Sequence, residues 1–97
     1  MTTIQMKKYG RTLTDRPDGK KTYNNIVGEH SPPLELDFSG VVAMGSSFGD
    51  EVVMKIARMQ GNAIRVLNAN NAIRDCVSKI IEDTNVEVDF GSVATSG

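Results

Sequence analysis

The stretch richest in chemistry is Gly45-Ser46-Ser47-Phe48-Gly49-Asp50-Glu51, where two hydroxyls lie between glycines and two acids follow directly. A serine just ahead of an apolar periodic run has two uses. Its hydroxyl can accept from an orphan backbone N–H at a helix start, a contribution of typically ~1 kcal/mol. It can instead stay free and accept a phosphoryl group. With Ser47 as the N-cap, Asp50 becomes the third helical residue, where an acid suits the helix dipole and can reach back. A phosphate on Ser46 would meet two opposing effects. The helix start attracts an anion by roughly 0.3–1 kcal/mol, while Asp50 and Glu51 each repel it by roughly 0.7 kcal/mol per charge pair at about 6 Å in a water-like dielectric. These nearly cancel, so the modification is expected neither to melt nor to lock the domain. It would act by putting charge and bulk in the path of a docking partner.

Elsewhere the chemistry is thinner. With one cysteine, Cys76, and one histidine, His30, no His/Cys metal cluster can be assembled, and only an all-carboxylate site stays formally open. His30 lies in a proline-bounded loop with no acid–nucleophile pair that sequence can place beside it. Cys76 shares an apolar stripe with Ile73, Val77 and Ile80 and reads as a packing thiol. Residues 16–21, Arg-Pro-Asp-Gly-Lys-Lys, cluster three cations at a glycine but lack the spacing of a phosphate-binding loop. They read as a helix-opening turn with solvated lysines. No catalytic residue, metal ligand or cofactor site is assigned, and a non-enzymatic protein is expected.

The elements that must position the serines follow from periodicity. The 97 residues are enough for one domain, expected over 1–90, with 91–97 as a flexible tail. Strands are expected at Thr3–Lys7, 34–38, 63–67 and 86–90. A short helix is expected to be capped by Asp18 and ended by Gly28, presenting Tyr23, Ile26 and Val27. A second runs from Ser47 through Phe48, Val52, Val53, Ile56 and Met59 to Gly61, with Phe48 as a core anchor. A third carries Ile73, Cys76, Val77, Ile80 and Ile81, and the asparagines at 68, 70 and 71 offer its cap. Strand, helix, strand, helix, strand over 34–90 reads as two βαβ units with parallel strands.

The strands add a refinement. Leu34, Leu36 and Phe38 alternate with Glu35 and Asp37, and Val86, Val88 and Phe90 with Glu87 and Asp89. Strands covered on both sides tend instead to be continuously apolar. Helices are therefore expected on one face, leaving an acidic face open around Arg65. There Arg65 either relieves its like-charged neighbours or marks a docking or dimer surface.

Eleven Lys and Arg stand against twelve Asp and Glu, with a net charge of −1, so there is no basic footprint and nucleic acid is disfavoured as a partner. No signal-peptide pattern and no apolar run near the roughly 18 residues of a membrane span are present. A lone cysteine fits a reducing, cytoplasmic setting.

The run from Leu34 to Gly61, LELDFSGVVAMGSSFGDEVVMKIARMQG, resembles the STAS domain. It is most similar to the STAS-like branch with its Asp-Phe, then Ser-Ser-Phe, then an acid, and the likeness extends over about residues 4–89. The resemblance implies a small α/β domain whose mixed, mostly parallel sheet of about four strands has helices on one face. It further implies a regulatory interaction module of the anti-sigma-factor-antagonist type, docking on a histidine-kinase-like ATPase and switched by serine phosphorylation. The acceptor position falls on Ser46, with Ser47 next to it. Gly45 stands where that family usually has Asp, and Phe48 where it usually has Gly; the STAS-like branch shares the Phe. A docking rim is expected from Gly45, Ser46, Ser47 and Asp50, joined by Asn68 and Asn70 from a neighbouring strand's carboxyl end. Two other uses stay open. One is binding of a nucleotide or small ligand at the same helix start, the other a homodimer or larger assembly paired through the open sheet face.

Overall fold

The computed structural model describes residues 1–91; the tail expected over 91–97 lies, beyond Gly91, outside the described residues. In chain order the elements are β1 (Thr2–Gln5), a 3-10 turn (Met6–Tyr9), β2 (Thr12–Leu13), α1 (Arg16–Glu29), β3 (Leu34–Asp37) and β4 (Ala43–Met44). Then come a helix over 46–59 (α2), β5 (Ala63–Leu67), α3 (Asn71–Ile81) and β6 (Glu87–Asp89). Four strands form one sheet in the order β1-β3-β5-β6, and every pairing in it is parallel. The expected one-sided α/β layering is observed, and its cause is topological. Each new strand adds on the same side of the last, so crossovers of one hand put every helix on one face.

Alternation along the strands matches that layering. Ile4, Leu34, Leu36, Ile64, Val66 and Val86 are buried beneath the helices, while Thr3, Gln5, Arg65, Glu87 and Asp89 are exposed on the other side. The largest buried side chains include Phe38, Phe48, Met6 and Ile26.

Three local expectations change. The first strand ends at Gln5, because its partner β3 ends at Asp37 and offers no further residue to pair; the chain turns and sends Met6 into the core. Next, α1 starts before Asp18. Asp15 is the cap, its Oδ1 accepting from the Asp18 N–H at 2.8 Å, and Pro17 occupies the first turn, where its missing N–H costs nothing. Gly28 does not stop this helix, since the His30 N–H still reaches Ile26 O at 2.9 Å. Finally, α2 is not uniform. An α-helical turn (Ser46–Gly49) passes into a π-helical segment (Asp50–Met54) and back to α-helix (Lys55–Met59). The wider π turn lets Glu51, Val52, Val53 and Met54 all be buried in succession and leaves Met59, expected inside, 42% exposed.

A second, two-stranded parallel ladder pairs β2 with β4. Two residues per strand carry no readable period, so the sequence alone does not announce it. It matters here because β4 delivers the chain to the serines.

Candidate functional site

The serine mouth is built from the ladder upward. Gly45 continues it, its N–H donating to Leu13 O at 2.8 Å. A Cβ at position 45 would lie 3.0 Å from Thr14 O and 3.3 Å from Thr14 Cα, so a side chain there would push the two segments apart. Held extended at φ −92°, ψ 158°, Gly45 is itself the N-cap of α2 and has no side chain to offer. This corrects the expectation that Ser47 caps the helix with Asp50 as its third residue. The helix begins two residues earlier because the ladder dictates where extended backbone ends. Asp50 instead donates its N–H to Ser46 O, one turn on. Neither serine hydroxyl makes a hydrogen bond among the described residues; Ser46 is exposed and Ser47 half-buried.

The two asparagines of the expected rim have structural duties. Asn70 caps α3, its Oδ1 accepting from the Ile73 N–H at 2.9 Å, while its Nδ2 donates to Val42 O at 2.9 Å. It thereby ties the start of α3 to the loop leading into β4. Asn68 sits at φ +55°, a conformation asparagine tolerates better than most residues. Its Nδ2 donates to Asp37 Oδ1 at 3.0 Å, an atom that also accepts from the Ser39 N–H at 2.8 Å. Burial pushes the Asp37 carboxyl up, but hydrogen bonds from Asn68, the Ser39 backbone and Gln5 outweigh it and leave it below the usual range. Asn68 thus fastens the end of β3 to the end of β5, while Asn70 serves the serine loop.

Two residues that sequence reasoning passed over bear on this segment. Val42 is 52% exposed, an apolar side chain on the loop that Asn70 holds. Its signal was faint: in the Val41-Val42 pair only one side chain can point inward, and Val41 does. The other is Arg16, read as part of a solvated cluster. Its guanidinium lies 3.6 Å from Asp50 Oδ2 and 2.5 Å from Glu51 Oε2, while Lys55 Nζ reaches Glu51 Oε1 at 2.6 Å. Glu51 is only 5% exposed, and hydrogen bonds from Lys55 and then Arg16 outweigh burial to hold its carboxyl below the usual range. The same contact, with Glu51 first and Asp50 adding to it, holds the Arg16 guanidinium above its already high value. Both acids behind the serines therefore face cations, and the repulsion they exert on an anion at Ser46 is smaller than the bare sequence implies. No spacing signal links residues 16 and 51; only the crossing of α1 over α2 brings them together. That crossing is close because Gly19 is buried in it, where an added Cβ would lie 2.9 Å from Glu51 Cβ and 3.2 Å from Phe48 Cα.

Among the described residues no group of three or more His, Cys, Asp and Glu side chains could hold a metal ion. No helix there is long and apolar enough to cross a membrane. Cys76 is half-buried, and burial foremost, with Asp50 adding to it against Lys79, raises its thiol pKa, the opposite of what a reactive cysteine needs.

No curated protein and no solved structure matches the chain. Residues 18–74 match a family model described as "STAS-like domain of unknown function (DUF4325)". That span runs from the first turn of α1 into the first turn of α3 and contains every residue from Val41 to Asn70, though not Arg16. With more than half of its residues matched, over the segment that carries β4, the serines and the π-containing helix, this chain belongs to the STAS-like domain family.

Proposed function

We propose that the domain is a non-enzymatic regulatory module that binds a partner protein through the serine mouth, and that phosphorylation of Ser46 switches the binding off. The observation that carries this reading is the state of the Ser46 hydroxyl. It stands exposed at the start of a fourteen-residue helical run, 46–59, and the fold makes no use of it, because backbone at Gly45 does the capping. Val42, exposed at the start of the extended segment that leads to the serines, supplies an apolar contact of the kind that anchors interfaces. Ser47, half-buried, is the poorer acceptor.

The partner in this reading is a cytoplasmic protein kinase of the histidine-kinase-like ATPase class, which supplies the phosphoryl group from its own ATP. Ser46 Oγ attacks the γ-phosphorus, the bond from that phosphorus to the bridging oxygen breaks, ADP leaves, and the serine proton passes to a base of the kinase. Arg16 and Lys55 already balance the acids behind the site, so the added charge weighs on the partner and not on the fold.

The test begins with a pull-down from the native host, with mass spectrometry over the peptide that contains Ser46. It continues with titration of the purified partner against wild type and Ser46→Asp. We expect a phosphopeptide at Ser46, a melting temperature within a few degrees of wild type and at least tenfold weaker partner binding in the variant. A variant that unfolds, or one that binds its partner as well as wild type does, overturns the proposal.

A further inference from the structure

A four-stranded parallel sheet bare on one side is unusual, because such sheets occur almost only with both faces covered. The bare side here has a defined chemical character. Register places Thr3, Glu35, Arg65 and Asp89 in one row across the four strands. Thr3 Oγ1 donates to Glu35 Oε2 at 2.6 Å, and Arg65 reaches Glu35 at 3.6 Å and Asp89 at 3.3 Å. Asp37 lies in the row above and Glu87 in the row below, opposite Ala63. The face therefore holds four carboxylates against one guanidinium, a net of −3 on a chain whose total is −1, and the rest of the chain is net positive. Charge is segregated between the two sides of the domain.

At the amino-terminal ends of β3, β5 and β6, the end opposite the serine mouth, this face carries a groove of about 520 Å³. Met1, Pro33 and Ala63 give it apolar surface, and Arg65, Glu87 and Asp89 line it too. Arg65 is shared between Glu35 and Asp89, whereas the Glu87 carboxylate has no ionic partner among the described residues. Apolar surface beside an uncompensated carboxylate suits a long cationic side chain, which lays its methylene stem on the former and its charged head on the latter.

We infer that this face docks a lysine- or arginine-bearing segment of a partner protein, with Glu87 and Asp89 receiving the cation and Met1, Pro33 and Ala63 seating its stem. A second copy of the chain docked face to face is a poor occupant, since it would oppose one net-negative face to another. Nucleic acid and anionic lipid surfaces are repelled for the same reason. The inference does not rest on the serine switch, because the two surfaces lie at opposite ends of the strands.

The experiment is a titration of the ¹⁵N-labelled chain with a synthetic lysine–alanine dodecapeptide of alternating sequence, and in parallel with its glutamate–alanine counterpart. The lysine peptide is expected to shift amides of residues 63–65 and 87–89, and its affinity to fall at least tenfold between about 50 and 300 mM salt. The Glu87→Gln/Asp89→Asn double variant is expected to lose at least tenfold in affinity, and Ala63→Lys, which places a cation in the groove, to lose as much. Neutralising Asp75 and Glu82, exposed on and just after α3, should change nothing, and the glutamate peptide should not bind. Shifts spread evenly over all acidic positions, or equal affinity in the double variant and in Ala63→Lys, overturn the inference. Sedimentation of the free chain as a dimer that the Ala63→Lys change dissociates also overturns it, because the face then belongs to a second copy.

Discussion

The segment from Val41 to Gly45 meets the amino ends of both α3, through Asn70, and α2, which grows out of it, yet the two ends are built by opposite means. At α3 a side chain does everything: Asn70 accepts from the Ile73 N–H and donates to the Val42 carbonyl, so its amide is occupied on both sides. At α2 backbone does everything: Gly45 is clamped to Leu13 and Thr14, caps the helix without a side chain, and leaves two serine hydroxyls over. The residues around those serines are equally committed. Phe48 is fully buried, and a Cβ on Gly49 would lie 2.9 Å from Ile80 Cδ1 on α3. What the contrast teaches is that a polar residue at a helix start is informative about function only once its capping duty has been checked. Asn70 has that duty. Ser46 does not.

The comparison can be broken first at Phe48. If packing and not capping holds the start of α2, Phe48→Ala should cost about 3–5 kcal/mol, a large share of a small domain's stability. Urea unfolding measures this, and a loss under about 1 kcal/mol would return the anchoring role to the serines. Next in size is the ion pair behind them. The Glu51 carboxyl has a folded pKa below its ordinary value near 4.5, so its stabilising effect is fully present above that value and is lost as pH falls through the lower folded pKa. Melting temperature should therefore drop in acid. In Glu51→Gln it should already be lower at pH 7 and change less toward acid, with Asp37 supplying a residual slope of the same sign. A variant with the wild-type acid profile would show that Arg16 and Lys55 do not stabilise the charge. The smallest effects sharpen the contrast most directly. Asn70→Ala should cost about 1–2 kcal/mol, whereas Ser46→Ala and Ser47→Ala should each stay within about 0.5 kcal/mol. Thermal melts of the three side by side decide it, and a serine variant that loses as much as Asn70→Ala ends the distinction.

The third helix was legible residue by residue, since Ile73, Val77 and their neighbours recur at helical spacing and Asn70 is a strong cap. The strands at 34–37 and 63–67 were legible from period-two alternation, and the open face followed from the same pattern. The start of α1 was misjudged because Asp15 and Asp18 are both plausible caps on local grounds. Only the observed Asp15–Asp18 hydrogen bond chooses between them. Of the candidate rim, Ser46 stands exposed and Asn70 holds the loop ahead of β4. The capping role of Ser47 differs from the sequence reading, and Val42 and Arg16 were missed because neither lies at a spacing that signals its neighbours.

From sequence alone came the order of the four sheet strands and the three helices, their parallel connection, the side of the sheet left bare and its acidity. All of these depend on local periodicity and on one handedness rule, which act over a few residues at a time. Tertiary structure alone decided that a two-residue ladder positions Gly45, that the helix behind it widens into a π turn, and that Arg16 meets Glu51 across thirty-five positions. Those features arise where separate segments compete for the same space, and the outcome depends on contacts that no stretch of chain contains by itself.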